Sequence, residues 1–484
     1  MNIAHDFAFA VRIVGRNPGF SVAVILTFAL GIGAATAIFS VVNAVLLRPL
    51  PYNDPQQIVA VWERNLTTSA NNVVTVANFE LLREHTQVFA GLAALVPAPV
   101  TILGGAEAEH VRAVQVSPGY FGLLGAKPML GREFTGAESA GGVVILSNQY
   151  WKQHFGGDPG AIGRTLIIEG NPTVVVGVMP ATFDPPRYGW IDDQPLWLPF
   201  GATPQNRSWG HVLHVVGRLR PGLSIDNANL ELAQFGRQIA TENSAQREWS
   251  FTANGLAHEV TGDVRAPLLL LMGGVSLLLL MSVANVANLT LGLTRRRKQE
   301  LAVRRAVGAS DARLARQLLI QSALLGVLGL VAGLVVAEVG VAALVALIPA
   351  DIPRTDAVRI DGPVLLAAVL ATLFATIAFG VTSAFRGASS KGVAAVLDGS
   401  TQQRTTSRLG AGTLITIEIA TALVLTVLAG LMLRSFSNLR DVDLGFDANE
   451  VVAGRVGLSG ERYASADQQR QFFDSLLMRL RATA

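Results

Sequence analysis

The sequence predicts a polytopic α-helical membrane protein of about five transmembrane helices, with a large α+β domain inserted after the first of them. Three observations carry that expectation. Half of the residues are hydrophobic and only 15% are charged, and the mean hydropathy is +0.42, a balance unusual for a water-soluble chain. Five apolar runs each approach the roughly 20 residues that a helix needs to cross about 30 Å of hydrocarbon. Between the first and second runs, residues 49–264 have ordinary globular composition and are long enough to bury a core of their own.

The runs are Phe20–Leu47, Pro267–Leu293, Leu318–Ala337 with a possible continuation to Ile348, Pro363–Phe385 and Leu409–Leu433. The first is longer than the apolar core of a usual secretory signal and has no convincing A-x-A site after it, so it reads as a retained span. The predicted organisation is therefore as follows: residues 1–17, a cytoplasmic amphipathic segment; 18–48, the first span; 49–264, the inserted domain; 265–386, spans two to four with a basic loop at 295–316; 387–408, a linker; 409–433, the fifth span; and 434–484, the incomplete start of a second external domain. The chain has no cysteine, which removes disulfides, thiolate catalysis and cysteine metal ligation from consideration.

Charge sets the orientation. The 295–316 segment carries Arg295, Arg296, Arg297, Lys298, Arg304, Arg305, Arg313 and Arg316, and short loops rich in Lys and Arg stay cytoplasmic. The amino terminus, with Arg12 and Arg16, and the 386–408 loop then fall on the cytoplasmic side. The inserted domain and the 338–362 loop, with Glu338, Asp351, Asp356 and Asp361, fall outside. Two readings of the basic loop are open: a topological anchor, or a docking element. Projected at 100° per residue, Ala302, Val303, Ala306 and Val307 share one arc, opposite Arg297, Lys298, Glu300, Arg304 and Arg305. Glu300 and Arg304 have the i,i+4 spacing that supports a helix, and Gly308 supplies a stop, which suits a short amphipathic helix beneath the bilayer.

Within the spans, small residues stand where helices approach closely: Gly31, Gly33 and Ala35 in the first, Gly273 and Gly274 in the second, and the GxxxG spacing of Gly329 and Gly333 in the third. Asn285 and Asn288, at the cytoplasmic end of the second span, are placed to bond across to a neighbouring helix. Glu418 is the one conspicuous charge inside a span, close enough to the cytoplasmic end to snorkel there. In the inserted domain, strand-like runs at 58–62, 111–116, 143–146, 165–168, 173–178 and 212–219 alternate with helix-like runs at 78–89, 148–155 and 224–241. No catalytic set is expected there. His211 and His214 sit three apart on a strand, hence on opposite faces, without a carboxylate cluster to complete a metal site. Glu107, Glu109 and His110 read as a solvated turn, and Trp151, Trp190, Trp197 and Trp209 as core or surface-patch aromatics. No metal and no nucleic acid are expected as ligands.

The segment "NVANLTLGLTRRRKQELAVRRAVGAS" resembles the stretch after the second span in the FtsX-like permeases of MacB-type ABC transporters. The amino-terminal "RNPGFSVAVILTFALGIGAATAIFSVVNAVLLRPLPY" resembles the first span of that group. "VSPGYFGLLGAKPMLGREFTGAE", "VVILSNQYWKQHFGGDPGAIGRTLIIEGNPTVVVGVMPATFDPP" and "VVGRLRPGLSIDNANLELAQF" are similar to successive parts of a MacB-like periplasmic core domain. The resemblance implies an inner-membrane permease whose cytoplasmic helix rests on a nucleotide-binding subunit, with Glu300, Arg304, Arg305, Gly308 and Ala309 matching the coupling motif and Asn285 and Asn288 matching positions nearby. It implies a separate ABC ATPase that binds the ATP, a second permease unit as a dimer or duplicated half, and an optional periplasmic adaptor or outer-membrane component.

From 409 onward the sequence starts a second unit of the same order: a span, a connector, the strand-like "EVVAGRV" and a helix-like run from Ala466 to Leu480. By the pattern of duplicated permeases that unit stops early, as a fragment would; the alternative is a short form whose tail rests on the first external domain. The sequence contains no G-x-x-x-x-G-K-[ST] phosphate loop, so no ATPase activity is expected of these residues. Export by mechanotransmission is the leading expectation. A non-transporting signalling or scaffold subunit that regulates an envelope enzyme is the second, and a membrane-anchored enzyme is disfavoured.

Overall fold

The computed structural model describes all residues except 1–2, 104–107, 140, 188–193, 205, 243–245, 297–302, 304–310, 348–357, 389–402, 441–455, 457–464 and 484. In chain order the helices are α1 (Ile3–Arg16), α2 (Pro18–Val42), α3 (Val76–His85), α4 (Tyr120–Leu124), α5 (Asn148–Phe155), α6 (Ile225–Glu242), α7 (Leu256–Arg296), α8 (Asp311–Leu347), α9 (Gly362–Ala388), α10 (Gln403–Arg440) and α11 (Ala466–Thr483). The strands are β1 (Ile58–Asn65), β2 (Asn71–Asn72), β3 (Val74–Thr75), β4 (Phe89–Leu103), β5 (Glu109–Val116), β6 (Leu130–Gly131), β7 (Val143–Leu146), β8 (Thr165–Ile168), β9 (Asn171–Val178), β10 (Leu196–Pro199), β11 (His211–Leu219) and β12 (Trp249–Gly255). The chain divides into a helical unit, residues 1–48 with 264–449, and a sheet unit, residues 49–263 with 450–484.

In the sheet unit the strands run in the order β12-β1-β11-β4-β5-β10-β7-β9-β6, with β2 beside β1, β3 beside β11 and β8 between β4 and β9. Pairing is antiparallel except β10 with β5 and β7 with β9. Strand side chains alternate between faces, and the alternation sorts the core. Ile58, Ala60, Ala93, Leu95, Val114, Val116 and Val216 point into one cluster with α4, Trp197 and the first turns of α7. Val59, Val61, Ala94, Val96, Leu213 and Val215 point the other way, against α3 and α6. Further along that second face, Val144, Leu146, Val100, Ile102 and Val175 pack with Tyr150 and Trp151 of α5. Both faces are covered, so the strands of the middle of the sheet read as near-continuous apolar runs rather than strict alternations.

Local chemistry fixes the short helices. The Thr75 side chain accepts the Asn78 amide at 3.2 Å to cap α3, and Ser147 accepts the Tyr150 amide at 3.1 Å to cap α5. Gly156 ends α5 at φ 62°, where a side chain is unfavourable. The helix-like run expected over 78–89 ends sooner, at His85, because Thr86 is extended and Phe89 already pairs with Leu219 at the start of β4. The sequence reading missed β4 as a strand altogether. Its prolines at 97 and 99 argue against a strand, yet pairing with β11 stops at Leu95 while pairing with β5 continues to Ile102, so no donor is required on the abandoned side.

In the helical unit, four stretches are long and apolar enough to cross a membrane: Pro18–Leu47, Val264–Thr290, Leu319–Ala346 and Glu418–Ser435. The fourth expected span corresponds to α9, whose apolar stretch, Gly362–Ala378, is shorter than the other four. The helices overrun the apolar segments. Glu338, expected in an external loop, lies within α8, and Arg313 and Arg316 lie in its first turns. Residues Asn43–Leu47 finish the first span as a π-helical turn. Two apolar clusters hold the unit: Val24, Phe28, Ile32, Val286, Leu325 and Ala375 in one, and Ala37, Val41, Val45, Leu268, Val341 and Val358 in the other.

Candidate functional site: a glycine-lined helix crossing

The coupling residues taken from the resemblance, Glu300, Arg304, Arg305, Gly308 and Ala309, lie outside the described residues. The packing residues are all described, and the structure brings most of them together. Gly33 of α2 and Gly333 of α8 meet backbone to backbone: a Cβ placed on Gly33 would lie 2.9 Å from the Gly333 carbonyl oxygen and 2.8 Å from Val336 Cβ. A Cβ on Gly329 would lie 2.6 Å from Phe28 Cβ, and one on Gly340 3.3 Å from Ala37 Cβ. The GxxxG pair and Gly340 thus line one face of α8, and Phe28, Ala29, Ile32, Gly33 and Ala37 fill it. Where no hydrophobic force separates helix from lipid, such close van der Waals approach is what holds helices together.

Gly31 turns to a different neighbour. A Cβ there would sit 2.9 Å from Ser282 Cβ of α7 and would crowd its hydroxyl, so α2 uses Gly31 against α7 and Gly33 against α8. The Ser282 hydroxyl donates to the Leu278 carbonyl at 2.9 Å and brings no unpaired donor to the contact. Gly273 and Gly274 do not take part: nothing lies within 4 Å of a Cβ placed on either. Their freedom is not needed for packing among the described residues.

The two asparagines separate. Asn285 is exposed, whereas the Asn288 amide donates from Nδ2 to Glu418 Oε1 of α10 at 2.9 Å. Glu418, close enough to the cytoplasmic end to snorkel, is half-buried and held by this bond to the second span.

In the sheet unit, His211 and His214 point to opposite faces. His211 places Nε2 2.9 Å from Glu63 Oε2 and stacks near Trp249, while His214 is buried edge-on to Trp62 at 6.2 Å between ring centroids. Burial pushes His214 down to about 4. Glu63 is fully buried, and its Oε1 accepts from the Thr75 amide at 2.8 Å, the Thr75 hydroxyl at 3.2 Å and Asn78 Nδ2 at 2.9 Å. This network ties β1 to the start of α3. Sequence reasoning missed it; its one signal is a charged residue directly following the apolar run of a central strand. Glu109 and His110 open β5 rather than forming a turn, and Glu109 accepts from the Tyr150 hydroxyl at 3.2 Å, whereas Glu107 lies outside the described residues. Trp151 and Trp197 are core, Trp209 is exposed, and Trp190 lies outside the described residues.

Both points where the sheet unit's chain leads toward a span are rooted in one core. Leu50 and Tyr52, just after the first span, and Leu256 and Val260, at the start of α7, belong to the same buried cluster. Tyr52 donates from its hydroxyl to the Asp184 carbonyl at 2.8 Å. Arg218 of β11 clamps the same strap: its guanidinium donates to the Asn53 carbonyl at 2.7 Å and to the Leu123 carbonyl at 3.0 and 2.7 Å.

Comparison with known proteins follows this division of the chain. Residues 21–235 match the MacB-like periplasmic core domain family, and residues 272–392 match the FtsX-like permease C-terminal family. The macrolide export ATP-binding/permease protein MacB of Neisseria meningitidis serogroup A is 26% identical over 276 residues, which cover 56% of this chain and 40% of that protein. MacB of Salmonella typhi is 25% identical over 227 residues, 45% of this chain and 34% of that one. The chain therefore spans less than half the length of these relatives. The crystal structure of the periplasmic region of MacB from Actinobacillus actinomycetemcomitans aligns with 42% of this chain and 90% of its own, at 15% identity and a TM-score of 0.32. Two family domains in succession, in a chain whose helices are long and apolar enough to cross a bilayer, make this protein a multi-pass inner-membrane member of the MacB/FtsX-like permeases.

Proposed function

We propose that the chain is the permease subunit of a MacB-like ABC export system, and that it converts ATP hydrolysis by a separate nucleotide-binding protein into movement of its periplasmic domain. The observation that carries this reading is the shared root of the two membrane connections. Leu50 and Tyr52 after the first span, and Leu256 and Val260 before the second, sit in one close-packed cluster. A core packed to crystal-like density transmits displacement rather than absorbing it. In this reading Glu300, Arg304, Arg305, Gly308 and Ala309 receive the motion from the ATPase on the cytoplasmic side, with the amino terminus on that side too, and the glycine-lined crossing of α2 with α8 carries it across the bilayer. A second permease unit completes the working assembly. In this reading the chain's part is mechanical, without a cofactor of its own.

The test is affinity purification of the full detergent-solubilised chain, followed by assay for a co-purifying ATPase, beside a variant carrying Glu300→Ala, Arg304→Ala and Arg305→Ala. An ATPase retained by the native chain and lost from the variant is the expected result. No ATPase with either chain overturns the reading, and recovery of a cell-wall hydrolase instead would identify a regulatory scaffold.

A further inference from the structure

The first helix has a face that the rest of the described structure does not cover. α1 ends at Arg16 and α2 begins at Pro18, so only Asn17 separates α1 from the first span. The join is fixed: the Ser21 hydroxyl donates to the Val14 carbonyl at 2.8 Å, and Asn17 Nδ2 donates to the Ile13 carbonyl at 3.4 Å. Ala10 is buried and Val14 packs on the cluster of Val24, Phe28 and Val286, which orients α1 about its own axis.

That orientation leaves two exposed pairs. Phe7 and Val11, one turn apart, are 51% and 47% exposed, and Arg12 and Arg16, also one turn apart, are exposed as well. At 100° per residue the apolar pair adjoins the buried side on which Ala10 and Val14 lie, while the basic pair stands about 140° farther round. In the span that follows, Val22, Leu26 and Leu30 form an exposed apolar stripe that begins one turn after Pro18. Hydrocarbon-facing surface thus starts directly after α1. By its connection the helix stands at the water–bilayer boundary, whichever side of the membrane that is.

We propose that α1 is a bilayer-surface helix that inserts Phe7 and Val11 among the acyl chains and binds the headgroup phosphate of an anionic phospholipid with Arg12 and Arg16. Two arginines one turn apart on the polar face, with an apolar pair on the other, match the pattern of a helix lying in the interface, and their guanidinium groups match a phosphate with more than one acceptor oxygen. Each arginine near an anionic surface contributes about five-fold to partition, so the pair contributes about twenty-five-fold. The inference does not depend on an ATPase partner.

The absence of cysteine makes the test direct. Phe7→Cys and Arg16→Cys variants of the full chain each take a single nitroxide label, and are reconstituted in nanodiscs of phosphatidylcholine alone or mixed with phosphatidylglycerol. The expected result is that the label at 7 is relaxed by oxygen and shielded from a water-soluble nickel chelate, more so with phosphatidylglycerol. The label at 16 stays accessible to nickel. Adding Arg12→Gln and Arg16→Gln to the Phe7→Cys chain removes the dependence on phosphatidylglycerol. A label at 7 open to nickel in both membranes, or a phosphatidylglycerol effect that survives the loss of both arginines, overturns the proposal. So does shielding that arises only when an ATPase partner is added, which would assign the face to that protein.

Discussion

Gly33 of α2 and Gly333 of α8 lie back to back, with the Gly33 amide nitrogen 3.4 Å from where a Cβ on Gly333 would stand. No side chain separates the first and third spans at this point, so their axes are as close as backbone permits. A branched residue at Gly33 would meet both the Gly333 carbonyl and the stiff β-branched side chain of Val336. Gly33→Leu is expected to destabilise the detergent-solubilised chain by about 3 kcal/mol or more, the upper range of overpacking costs, and Gly329→Leu similarly. Gly273→Leu, in open space, is expected to have little effect. Thermal unfolding followed by size-exclusion chromatography compares the three; equal losses at all three positions would refute the crossing.

Asn288 and Glu418 join the second and fifth spans by one amide-to-carboxylate hydrogen bond. Interhelical side-chain hydrogen bonds in membranes average about 0.6 kcal/mol, with a maximum near 1.7. A double-mutant cycle of Asn288→Ala and Glu418→Ala should return a coupling energy of that order, and Glu418→Gln, which retains an acceptor oxygen, should preserve much of it. Strict additivity would show that the two residues do not pair in the folded protein.

Glu63 satisfies the start of α3 from inside the sheet. Glu63→Ala removes the acceptor for Thr75 and Asn78 and strands His211 at the same time. A buried donor left without its acceptor costs about 1–3 kcal/mol, so the variant is expected to unfold at a markedly lower temperature. His211→Ala, whose side chain is 24% exposed, is expected to cost less, because Glu63 keeps the three donors on its Oε1. A larger loss for His211→Ala would reverse the proposed roles.

His214 makes acid stability predictable. Its folded value is about 4 through burial, below the unfolded value of about 6.5. Between these two values the unfolded chain binds the additional proton, so stability falls as the pH is lowered. The contribution is complete above about pH 6.5, is lost progressively below it, and has been lost in full near pH 4, to a total of about 3 kcal/mol. Denaturant titrations at several pH values should show this slope in the native chain, and a His214→Phe variant should flatten it.

The membrane architecture was legible because length and hydropathy read it directly. GxxxG spacing puts Gly329 and Gly333 on one helix face, and that face is the one that meets α2. Helix ends were harder: Glu338 continues α8 because the backbone hydrogen bonds of a helix do not depend on where the bilayer stops. Long-range satisfaction was not legible at all. Glu63 finds its donors 12 to 15 residues onward and His211 much farther on, and no local period marks such a meeting. Nor could spacing distinguish Asn288 from Asn285, because which of them meets Glu418 depends on the rotation of a helix more than a hundred residues away. Gly273 and Gly274 failed as packing marks for the same reason: composition states that an approach is possible, while the neighbour decides whether it occurs.

The alternating faces of the sheet impose a division of labour on its residues. The face holding Leu95, Val116, Trp197 and Val216 also holds both roots of the membrane connections, so any change there is felt at two ends of the chain. The opposite face, built with Phe79, Leu82, Leu232 and Ile239, carries no such anchor. Substitutions among the helices on that side therefore leave both roots untouched, and the two faces of one sheet can diverge independently.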